Sequence, residues 1–102
     1  MKGYLKLNGD ILGEVDFKVI DETMGVIGGR MTPHPEYFNY QSSFQAICDN
    51  KGIVNSSDYQ FKVDIPGVSN IEDGIGLTDN YGIGDIEVEA VGLPFEALSK
   101  LI

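Results

Sequence analysis

Apolar and charged side chains alternate one by one along three stretches of this chain, and that alternation limits the fold more than any other feature. Val15, Phe17 and Val19 interleave with Glu14, Asp16 and Lys18. Tyr59, Phe61, Val63 and Ile65 interleave with Gln60, Lys62 and Asp64. Ile86, Val88 and either Ala90 or Val91 interleave with Asp85, Glu87 and Glu89. A period of two places successive side chains on opposite faces of a strand, so each stretch predicts a strand with one greasy and one wet face. Sheets of such strands are mainly antiparallel and covered on one side.

The cover is a single amphipathic helix. Thr32-Pro33-His34-Pro35 reads as a helix start, because proline in the first turn lacks only an N–H that has no partner there, and Thr32 can cap. Tyr37, Tyr40, Phe44, Ile47 and Cys48 then recur at spacings of three and four, and Asn50-Lys51-Gly52 ends the run. This predicts about 13–15 helical residues. Leu93-Pro94 opens a short terminal helix, with Phe95, Leu98 and Leu101 or Ile102 inward. The expected architecture is one α+β domain over residues 1–102: a curled, mainly antiparallel sheet of five to six strands, in the order β-β-β-α-β-β-β-α, packed on the central helix.

Register at the first hairpin is a matter of parity. A two-residue Asn8-Gly9 loop sets Leu7 opposite Asp10 and, without a bulge near Gly13, puts Leu5 on the face of Glu14 and Asp16. A three-residue loop sets Leu7 opposite Ile11 and keeps Leu5, Leu7, Ile11, Val15 and Phe17 together, so it is the expectation. Gly28-Gly29 within a strand pattern predicts a bend or close approach by another backbone, with the following helix as the expected neighbour.

Charge narrows the function classes. The 102 residues carry sixteen Asp/Glu against seven Lys/Arg, a net −9. Residues 1–51 hold seven acids and five bases, residues 52–102 nine acids and two bases, so the balance runs from −2 to −7. Such a surface repels nucleic acid and anionic lipid and favours basic partners. No apolar run reaches the roughly 18 residues of a membrane span. Cys48 is the sole cysteine, which forbids an internal disulfide and points to a reducing compartment. The N-terminal residues alternate like a strand rather than forming a secretion signal, so a cytoplasmic protein is the expectation.

No catalytic, cofactor or metal motif emerges. His34 is the only histidine and reads as an exposed turn residue, while Cys48 reads as core. Asp73, Asp79 and Asp85 are spaced by six, but they do not match an oxygen-ligand calcium loop, and a solvated hairpin is the expected reading. Gly25…Gly28-Gly29 and Gly74…Gly76 lack both the spacing and the positive charge of a phosphate cradle. Carboxylate pairs arise by chance among sixteen acids, and no tryptophan provides a sugar platform.

What remains is the wet face. Parity sends Glu14, Asp16, Asp64, Asp85, Glu87 and Glu89 outward, with Lys18 and Lys62 as the bases among them. Phe38, at the edge of the apolar stripe, and Tyr81, in a loop tip, are candidate aromatic anchors. The expected function is a non-enzymatic acidic domain that binds a basic protein. In charge and size alone such a chain resembles inhibitors and immunity proteins that neutralise basic toxins or nucleases. Two other classes compete: a ligand-binding or enzymatic pocket lined by Tyr37, Tyr40, Tyr59 and Phe61, and a structural subunit whose sheet edge pairs with a second copy in a homodimer.

Overall fold

The computed structural model describes residues 1–80, 84–93, 96, 99 and 100. Its strands are β1 (Lys2–Leu7), β2 (Asp10–Asp16), β3 (Lys18–Asp21), β4 (Val26–Pro33), β5 (Val54–Asn55), β6 (Lys62–Ile65), β7 (Ser69–Ile71), β8 (Ile75–Asp79) and β9 (Ile86–Ala90). A 3₁₀ turn over Pro35–Asn39 leads into the helix α1 (Gln41–Lys51). The fold is α+β, with a curled sheet packed on one helix and every strand pair antiparallel. Among the described residues the sheet has nine strands rather than five to six, ordered β5-β8-β9-β4-β2-β1-β6-β7 with β3 also on β4. The excess comes from short pieces, β5 and β7, and from the splitting of residues 10–21 into β2 and β3 at Phe17.

Alternation sets the core. Leu5 and Leu7 of β1, Val15 of β2, Ile27 and Met31 of β4, Val63 and Ile65 of β6, and Ile86, Val88 and Ala90 of β9 are all buried. They meet Phe44 and Cys48 of α1 and Tyr37 of the 3₁₀ turn in one cluster. Each fully buried aliphatic or aromatic side chain contributes roughly 1.5–3 kcal/mol relative to exposure. Ala90 takes the inward place and Val91 is half exposed.

The first hairpin departs from expectation. Leu7 lies opposite Asp10, so the loop is the two-residue Asn8-Gly9 turn. Both residues have positive φ, 52° and 84°, as a type I′ turn requires, and its twist matches that of the strands. Leu5 pairs with Gly13 while Lys6 pairs with Ile11, so Leu12 is the extra residue of a bulge. The bulge restores parity: Leu12 goes into the core and Ile11 points to solvent.

The helix also starts later than expected. Thr32 and Pro33 end β4, where Gly13 pairs with Pro33 and the His34 N–H donates to the Leu12 carbonyl at 2.8 Å. His34 is half-buried rather than exposed. Pro35 alone starts a 3₁₀ turn, and α1 begins six residues after it with eleven residues in all. Gly52, at φ 87°, closes it with its N–H on the Cys48 carbonyl. Residues 59–61 precede β6 instead of extending it.

The neighbour of Gly28-Gly29 is the sheet itself, not the helix. β4 pairs with β2 at its C-terminal end and with β3 and β9 at its N-terminal end, and the two glycines lie where these pairings meet. A Cβ on Gly29 would sit 2.0 Å from the Asp16 carbonyl oxygen. Of the terminal helix, Glu96 and Ser99 are helical. Phe95, Leu98, Leu101 and Ile102 lie outside the described residues. Among the described residues no helix is long and apolar enough to cross a membrane.

Candidate functional site

The outward face of the sheet is read most directly from register. One row runs Thr32 (β4), Glu14 (β2), Tyr4 (β1), Asp64 (β6) and Asn70 (β7). A second runs Arg30 (β4), Glu87 (β9) and Thr78 (β8). A third runs Lys18 (β3), Gly28 (β4), Glu89 (β9), Gly76 (β8) and Asn55 (β5). Asp16 is exposed at the end of β2, opposite Lys2, and Asp85 is exposed just before β9.

The six acids separate into two groups. Glu14, Asp16 and Asp64 lie on β2 and β6, each beside a cation. Lys2 Nζ is 3.7 Å from Glu14, the Met1 amino group 3.1 Å from Asp16, and Lys6 Nζ 3.4 Å from Asp64. The hydrogen bond and charge of that amino group hold the Asp16 carboxyl below its usual range. Asp85, just before β9, and Glu87 and Glu89 on β9 form the other group, two strand spacings or about 10 Å from β2. Arg30 Nη2 approaches Asp85 at 3.3 Å. Glu87 and Glu89 have no ion-pair partner among the described residues.

The face carries more bases than Lys18 and Lys62. Lys2 and Lys6 of β1 and Arg30 of β4 share it, because those strands lie inside the sheet between the acidic ones. Exposed pairs of this kind are screened by solvent and add little to stability. Their effect is local neutralisation; on β9, Glu87 and Glu89 form no ion pair among the described residues, and Arg30 stands opposite Glu87 in register. Phe38, on the 3₁₀ turn, is 57% exposed, its ring edge-on to Tyr37 at 5.8 Å. Tyr81 lies outside the described residues.

The space between sheet and helix is occupied by rings. Phe44 of α1 stands 5.0 Å from Tyr59, 5.6 Å from Phe61, 5.7 Å from Tyr40 and 5.8 Å from Tyr37. The surface cavities formed by described residues lie elsewhere. One of about 530 Å³ runs over the outer face by the first hairpin, lined by Lys6, Asn8, Gln60, Lys62 and Asp64 among others. Among the described residues no three His, Cys, Asp or Glu side chains are grouped to hold a metal ion.

One polar cluster was not anticipated. Asp79 is buried at the end of β8. The Tyr37 hydroxyl donates to its Oδ2, Gln41 Nε2 donates to the same oxygen at 3.2 Å, and Gln45 Nε2 donates to Oδ1 at 3.2 Å. Burial, with the carboxylate alongside, pushes the Tyr37 hydroxyl well above the usual phenol range, so it stays a donor. The sequence signal was parity: Ile75, Leu77 and Asp79 share a period of two, so a carboxylate stood at an inward position. The cluster ties the 3₁₀ turn and α1 to the sheet, and all its polar side-chain atoms are satisfied by one another or by solvent. No protein-family model matches this chain, and neither the curated proteins nor the solved structures provide a match.

Proposed function

We propose that this chain is a non-enzymatic, acidic protein-binding domain that blocks a basic surface of its partner, in the manner of an inhibitor or immunity-type protein. The observation that carries the reading is the outward run of Asp85, just before β9, and Glu87 and Glu89 on it, in which Glu87 and Glu89 form no ion pair among the described residues. Exposed negative charge on a chain of net −9 speeds encounter with a cationic partner and disfavours wrong ones. A reducing, cytoplasmic setting fits a buried lone thiol at Cys48. The aromatic packing around Phe44 favours this reading over a pocket between sheet and helix.

The test is capture from host extract on the immobilised chain, at low and high salt, against a Glu87→Lys/Glu89→Lys variant. A basic protein should be held at low salt, released at high salt, and lost by the variant, while substitutions of His34 or Cys48 leave it bound. Equal retention by wild type and variant overturns the proposal.

A further inference from the structure

Beside Glu89 the outer face opens into a trough. Two surface cavities, of about 480 and 380 Å³, share Asp73, Gly74 and Val91. The first is also lined by Ile71 and Leu93, the second by Ile53, Gly76 and Glu89. Glycines shape it by letting neighbouring aliphatic side chains lie over the strands: Ile20 Cδ1 stands 2.6 Å from where a Cβ on Gly28 would be. Glu89 lies between Gly28 and Gly76 in register, so neither flanking strand supplies a side chain at its sides. Ile53 lies over Gly76 instead, its Cδ1 2.5 Å from where a Cβ would stand. Val91, 48% exposed, packs over Gly74 in the same way. The result is a channel with aliphatic walls and two carboxylates, Glu89 and Asp73, neither paired with a cation among the described residues.

We infer that this trough receives a Lys or Arg side chain from an extended segment of the basic partner, with its stem against Ile53 and Val91 and its charge on Glu89. This deepens the proposed function and rests on it. Charge and shape select the occupant together. An acidic side chain meets two carboxylates, and a wholly apolar one strips water from them without offering a hydrogen bond. A Lys or Arg side chain combines an aliphatic stem with a cationic tip, which matches apolar walls beside an acid.

The probe is an acetylated, amidated pentapeptide with a central lysine between leucines, titrated while the amide chemical shifts of the intact chain are followed. Its controls replace the lysine by norleucine, which keeps the stem, or by glutamate. The lysine peptide should shift Gly74, Gly76 and Val91 saturably. Norleucine should bind roughly 1.5-fold to fivefold more weakly, the range of an exposed ion pair. Glu89→Gln should reduce the lysine peptide to the norleucine level, Glu87→Gln should have little effect, and Val91→Lys should remove binding. Equal binding of the lysine and norleucine peptides overturns the inference. So do shifts spread evenly along β9 with equal losses from Glu87→Gln and Glu89→Gln, a result that leaves the acidic-face reading standing. That parent reading falls separately, if the charge-reversed chain still captures its partner.

Discussion

The Tyr37 hydroxyl donates to Asp79 inside the core, joining the 3₁₀ turn to the last residue of β8 across 42 positions of sequence. Asp79 is only 2% exposed, and its carboxylate is met by hydrogen-bond donors and by no cation among the described residues. Removing one donor therefore leaves a buried acceptor short of a partner. Tyr37→Phe should lower unfolding stability by about 1–3 kcal/mol while preserving the ring packing against Phe44. Urea unfolding followed by far-UV circular dichroism measures this. A loss within experimental error would mean that Gln41 and Gln45 alone satisfy the carboxylate.

The burial of the Tyr37 hydroxyl, with the bond to Asp79 second, sets the alkaline response. Burial raises the Tyr37 phenol in the folded chain, while in the unfolded chain it titrates at about 10. Above that pH the unfolded state has released a proton that the folded state keeps. Stability from this group is thus complete below about pH 10 and falls as pH rises further. The wild type should lose stability in that window more steeply than Tyr37→Phe, in denaturant midpoints measured at successive pH values. Parallel curves for the two proteins would contradict the coupling.

What the sequence revealed follows from period, and what it concealed follows from local geometry. Val15, Val63 and Val88 were readable as inward and Glu14, Asp64 and Glu87 as outward, because a strand's alternation survives any topology. Strand order left no such trace, and with it went the interleaving of Lys2, Lys6 and Arg30 among the acids. The bulge at Leu12 was concealed because two turn lengths each satisfied part of the pattern. Helical spacing from Tyr37 to Cys48 persisted through a 3₁₀ turn, since three-residue and 3.6-residue periods are hard to tell apart over one turn. Asp79 was hidden by its company: among glycines and other acids it resembled a solvated loop residue, although its parity with Leu77 was visible.

Gly28 and Gly29 separate two kinds of small-residue requirement at adjacent positions. Neither has a positive φ, so space rather than backbone conformation decides. A Cβ on Gly29 would stand 2.0 Å from the Asp16 carbonyl oxygen and 2.8 Å from its carbon. Backbone cannot swing aside as a side-chain tip can, so β2 and β4 would have to separate where the sheet turns from one pairing to the other. A Cβ on Gly28 instead meets the Ile20 Cδ1 at 2.6 Å, the far end of a side chain 60% exposed. Its other contacts, Glu89 Cγ and the Val88 carbonyl oxygen at 3.3 Å, need only small shifts. Gly29→Ala should therefore cost at least the roughly 1–3 kcal/mol typical of overpacking. Gly28→Ala should stay within about 1 kcal/mol of wild type, helped by the lower entropy of its unfolded chain. Paired denaturation curves test the contrast. Equal costs, or a larger one at Gly28, would mean that the close approach of Asp16 does not set the corner of the sheet.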